Sequence, residues 1–202
     1  MYAQQYIDFI RELGFTEKGY AERTIRSSER RLKIDLPEAI RCFYITVAQM
    51  ALYRKFNRIL RPGEFYFKDD RLVFMEENQN VVFWGIPCDG IKNPDPVVHI
   101  ANNFDPPEWF VEDCQFSVFI KVATVWQLIN GGYRHCEERS VKKSDLPRLE
   151  KCLNFIAFDN GLYAFYTKNG VVGVVKNGKR YVATVAAKTT VDLDQIISYI
   201  DA

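Results

Sequence analysis

Apolar positions in this chain follow two different periods, and the change falls at Pro62-Gly63. Before that point, Tyr6, Phe9, Ile10 and Leu13 recur at i, i+3, i+4 and i+7, which is one face of a helix. A charged helix is expected near "AERTIRSSERRLK". In "DLPEAIRCFYITVAQM", Pro37 suits a first helical turn because its missing N–H has no intrahelical partner there. Ile40, Phe43, Tyr44 and Val47 then form a buried stripe. These helices are expected to pack on a sheet.

After Pro62-Gly63, aromatic and β-branched residues dominate, as strands require. Strands are expected over residues 65–68 and 72–75, with Asp69-Asp70 as their turn. The asparagines of "ENQN" tolerate left-handed backbone and make the next turn. It leads into "VVFWG", residues 81–85, where Val81 with Phe83 and Val82 with Trp84 make both faces apolar. A strand of that kind is covered on both sides, so it is expected at the centre of its sheet. "DPVVHIAN" is another strand, and "NNFDPPEWFVEDC" an acidic, proline-bearing connection that at least half-exposes Trp109. Phe119, Val122, Trp126 and Ile129 return to helical spacing, and Asn130-Gly131-Gly132 stops that helix.

Asn-Gly pairs at 160, 169 and 177, each flanked by β-formers, predict a meander of four antiparallel strands. Asp192 opens a closing helix with Leu193, Ile196, Ile197 and Ile200 on one side. The fold class is therefore α+β: N-terminal helices packed on a mostly antiparallel twisted sheet, then a C-terminal β-meander and a final helix. Residues 1–132 form the core, and residues 133–202 pack with it as one globular unit.

With 202 residues, 48% hydrophobic and 14% aromatic, the chain can bury a sizeable core, which argues against disorder. No run approaches the roughly 18 uncharged apolar residues of a membrane span, and "MYAQQYIDFIRELGF" lacks a basic region followed by an apolar stretch. A soluble cytoplasmic protein without a membrane partner is expected. Cys42, Cys88, Cys114, Cys136 and Cys152 are scattered, with no C-x-x-C and only two histidines in the chain. They read as reduced, mostly buried thiols, with no metal and no cofactor.

The net charge of +1 conceals a strong asymmetry: residues 62–120 carry 3 Lys+Arg against 11 Asp+Glu, between two basic flanks. Either this acidic middle attracts a basic partner and repels phosphate backbones, or its loop carboxylates keep an aromatic-rich sheet soluble.

Catalytic patterns are weak. Glu76 and Glu77 are neighbours, so on a strand they point to opposite faces and cannot flank one bond. His135 and Cys136 diverge in the same way, although a distant His99 meeting Cys136 or Cys152 stays open. The glycines of "NGVVGVVKNG" lack a following helix and a G-K-[ST], so they are hairpin glycines. The basic clusters "RTIRSSERRLK" and "NGGYRHCEERSVKK" carry interspersed acids and almost no aromatics, which suits a solvated helix face or loop better than nucleic acid.

Taken together, "ERRLKIDLPEAIRCFY", "NRILRPGEF", "DDRLVFMEENQNVVFWGI" and "DPVVHIANN…PEWF" resemble the SUKH superfamily, over residues 29–132 and in collinear order. "LVFMEENQNVVFWGI" is the specific element. The resemblance implies helices on an antiparallel α+β sheet, no catalytic residues and no cofactor. It also implies a cytoplasmic protein that neutralises a toxin, often a basic nuclease, by direct binding. The chain departs from the family at "AQMALYRKFNRIL", where many members have a Gly/Asn-rich loop, and its last seventy residues lie outside the match.

Leu36, Pro37, Asn78, Val81, Phe83, Trp84 and Gly85 are expected to be structural, with Trp84 buried, its indole N–H on an internal acceptor, and Gly85 allowing close backbone approach. Glu76, Glu77, Asp89, Asp95, Glu112 and Asp113 are the candidates for a partner-facing acidic rim. Trp109 is either an aromatic anchor for that partner or a lid packed on the sheet. An immunity protein, a regulatory scaffold like the yeast glucan-synthesis regulator of the same superfamily, and an enzyme are the three readings carried forward.

Overall fold

The computed structural model describes residues 1–159 and 161–201, so Asn160 of the first Asn-Gly pair lies outside the described residues. Three helices open the chain: α1 (Tyr2–Glu12), α2 (Glu22–Leu32) and α3 (Glu38–Thr46). The stripes Tyr6, Phe9, Ile10 and Leu13, and Ile40, Phe43, Tyr44 and Val47, are buried as their spacing predicts. Pro37 sits one residue ahead of α3, at its N-cap, and both it and Leu36 are buried. The Leu36 N–H donates to Glu29 Oε1 at 3.1 Å, which ties the "LP" corner back to α2.

Two antiparallel sheets follow. The first contains β1 (Arg58–Ile59), β2 (Tyr66–Lys68), β3 (Arg71–Glu76), β4 (Val82–Pro87), β5 (Val97–Asn102) and β6 (Trp109–Gln115). Their order is β1-β3-β4-β5-β6, with β2 also on β3, so the tryptophan-glycine strand is central as expected. That strand begins one residue later than the sequence suggests, because Val81 belongs to the turn and is 47% exposed. Asp69 and Asp70 do form the two-residue β2–β3 turn, both at positive φ.

The C-terminal meander does not extend this sheet. It builds a second one, in which β8 (Asn154–Asp159), β9 (Leu162–Thr167), β10 (Gly170–Asn177) and β11 (Arg180–Ala187) are joined by β7 (His135–Val141) in the order β7-β11-β10-β9-β8. β7 is a strand where the sequence pattern suggests a solvated helix face or loop: "HCEERSV" alternates half-buried with exposed residues, and its charges mask that alternation until β11 pairs with it. Two of the three Asn-Gly turns are also displaced by one residue. Thr167 pairs with Gly170, which places Lys168-Asn169 in the loop, and Asn177 pairs with Arg180, which places Gly178-Lys179 there.

Helix α4 (Phe116–Gln127) contacts strands of both sheets and is buried on nearly every side. Phe116 packs edge-on against Phe43 and Phe74, joining α3 and β3 through this helix. The far side of the second sheet is covered by α5 (Leu146–Cys152) and α6 (Thr190–Asp201), whose Leu149, Ile196 and Ile200 meet Phe165, Val172 and Val185 in a second core. Strands β9 and β10 are thus covered on both faces, which is why "GVVGVV" is almost continuously apolar. Among the described residues, no helix is long and apolar enough to cross a membrane.

Candidate functional site

The β3–β4 turn and the connection from β5 to β6 meet at one end of the first sheet. Glu77 shapes the turn: its N–H donates to Val82 O at 2.8 Å, and its carboxylate accepts the N–H of Gln79 at 2.9 Å. Asn80 takes a left-handed φ of 59° to close it, and Asn78 is exposed at its tip. Asn103 then locks the second loop on. Its N–H donates to Val81 O at 2.7 Å, and its side-chain amide donates to Asn80 O at 2.9 Å.

The result is a braced ledge of two loops: one carries Val81 and Glu77, and the other carries Phe104, 67% exposed, with the exposed Asp105 and Glu108 in the same loop. Loops that expose apolar side chains together with carboxylates suit a partner that presents cations near an apolar socket. Phe104 was not singled out in the sequence. The signal is there, however: an aromatic residue inside the turn-forming run "NNFDPP" has no strand periodicity to bury it.

Trp109 takes the lid role. It packs edge-on against Phe83, with ring centroids 5.0 Å apart, and lies over Gly85, where a Cβ would fall 3.2 Å from its Cη2 and 3.0 Å from Leu72 O. Gly85 therefore permits the close approach its type suggests. Lys68 places its ammonium 4.5 Å from the Phe83 ring and donates to Asn103 Oδ1 at 3.0 Å, which ties β2 to the central strand and to the ledge.

The six acidic candidates do not form one rim. Glu76 is paired with Arg58 and accepts the Tyr66 hydroxyl at 3.0 Å. Asp89 lies in the turn Cys88–Lys92, beyond the opposite end of β4 from Glu77. Asp95 is 6% exposed and caps α4 from outside the helix, accepting Ser117 N–H at 2.9 Å and Ser117 Oγ at 2.6 Å. Asp113 is exposed on β6, and its N–H donates to Asp159 Oδ1 at 3.2 Å. Of the six, only Glu77 belongs to the ledge.

Glu112 is 5% exposed and accepts the Trp84 indole N–H at 2.8 Å. This supplies the internal acceptor expected for Trp84, which is half-buried against Phe119. Burial pushes the Glu112 carboxyl up to about 7; the nearby Asp159 adds to that and the Trp84 N–H opposes it. Burial also raises Asp159, against the stabilising N–H of Asp113. These carboxylates form a seam where β6 meets β8, joining the two sheets. His99 is half-buried on β5 and its imidazole is lowered by burial and then by Arg71. The cysteines are free but not mostly buried as expected: Cys42, Cys88 and Cys114 are half-buried, and Cys136 and Cys152 are exposed. Among the described residues, no group of three or more His, Cys, Asp or Glu side chains is arranged to hold a metal ion.

No family model matches the chain, and neither a curated protein nor a solved structure matches it significantly.

Proposed function

We propose that this chain is a non-enzymatic protein-binding module, and specifically a cytoplasmic immunity protein that neutralises a basic, nuclease-type toxin by direct binding. The observation that carries the reading is the ledge: Phe104 and Val81 stand exposed on two loops cross-braced through Asn103, which also carry Glu77, Asp105 and Glu108. A braced epitope loses little entropy when it docks. Its carboxylates steer a cationic partner into register, while the aromatic side chain supplies the anchor. The α+β architecture agrees with what the SUKH resemblance implies.

Co-expression with the product of the neighbouring gene, scored by survival, tests the biology. A neighbour that is not toxic, or a toxic one that is not rescued, ends the toxin reading. Purified complex then tests the surface. Phe104→Ala should cost about 2 kcal/mol or more in affinity, and D105K/E108K should slow association with a pronounced salt effect. A complex formed equally well by both variants would place the interface elsewhere.

A further inference from the structure

We infer that the groove between α2, the start of α3 and the turn Cys88–Lys92 is a second docking site, for an acidic polypeptide segment that carries an apolar anchor. The groove has a volume of about 1440 Å³ and is lined by six cations against three carboxylates. Two of those cations are already committed. Arg41 clamps Glu29 at 2.7 and 2.8 Å, and Arg26 lies 3.1 Å from Glu22. Arg23, Arg30, Lys33 and Lys92 are exposed and have no ion-pair partner among the described residues, which leaves them free for a ligand's carboxylates.

Apolar side chains also line the groove: Phe67, 41% exposed, with Ile34, Ile91 and Pro94. Cationic walls around apolar side chains fit a polypeptide that alternates carboxylates with a large apolar residue. A phosphate backbone would leave the apolar surface unfilled.

The groove follows the C-terminal end of β4, whereas the ledge precedes its N-terminal end, about 20 Å away along the strand. Surfaces of opposite charge therefore lie beyond the two ends of β4, and the groove goes beyond the function proposed for the ledge.

A displayed library of random dodecapeptides, selected on the full chain and counter-selected on R30E/K33E, tests the inference. Enriched sequences are expected to be net acidic with one large apolar residue. A synthesised winner should lose roughly tenfold or more in affinity for R30E/K33E, weaken with F67S, and bind less tightly as salt rises. Neutral or basic winners, affinity that survives the charge reversal, or no enrichment at all would overturn it. So would a short DNA duplex that binds more tightly than the peptide, or a wild-type dimer that R30E/K33E dissociates, since each names a different occupant. Thermal melts establish that the surface variants fold. Because F104S alters only the ledge, it should leave peptide affinity unchanged, so failure of one surface is distinguishable from failure of the other.

Discussion

Replacing Glu112 by Gln should stabilise the protein, and the gain should depend on pH. In the folded chain the Glu112 carboxyl sits at about 7, against an ordinary value of 4.5, because burial and Asp159 disfavour its charge. Between those two values the native state holds a proton that the unfolded chain has released. Stability therefore falls as pH rises through this window, by about 1.4 kcal/mol per unit. Below about 4.5 the group contributes nothing, and above about 7 the full cost of about 3 kcal/mol is in place.

Glutamine keeps an oxygen for the Trp84 N–H but cannot ionise. Urea unfolding of the wild type and E112Q at pH 5 and at pH 8 separates the two contributions. At pH 5, just above the unfolded value, the variant midpoint should lie only about 0.3 M higher. At pH 8 the variant midpoint should lie roughly 1 M higher, given a slope of roughly 2–3 kcal/mol per molar for a chain of this size. An equal difference at both pH values, or a variant less stable at pH 8, would show that Glu112 is not held protonated in the seam.

Other perturbations follow from the same contacts. Trp84→Phe removes the one hydrogen bond that lowers the Glu112 carboxyl, so the decline of stability with pH should continue above 7, readable in the same titration. Asp95→Ala strips both acceptors from Ser117 and should cost about 1–2 kcal/mol, whereas Asp95→Asn, which keeps one oxygen, should cost less; chemical denaturation ranks the two. Gly19→Ala places a methyl against the Ile45 carbonyl, beside the Tyr20–Tyr44 backbone hydrogen bond, and should cost about 3 kcal/mol by the same measurement. A Gly19→Ala protein of unchanged midpoint would mean that this linker does not pack on α3 as described.

Local chemistry was legible in the order of residues. The helical stripes of α1 and α3 and the Asp69-Asp70 turn each follow from spacing and backbone preference within a few residues, and so does the two-sided apolar pattern of β4. Gly85 was legible for the same reason, since only the absence of a side chain permits an approach that close. What the order of residues could not specify was which carboxylates meet solvent. Asp95 and Glu112 look like Asp89 and Asp113 in the sequence, yet the first pair is drawn inside by partners far along the chain: Ser117 for Asp95, and Trp84 across β5 for Glu112. β7 was invisible for a related reason, because its charged alternation becomes a strand only when β11 offers a hydrogen-bonding edge. Likewise, the meander's own pattern was consistent with extending the first sheet or founding a second. The largely buried α4 decides it, since a helix that is apolar on most of its circumference needs more than one wall, and the two sheets supply them.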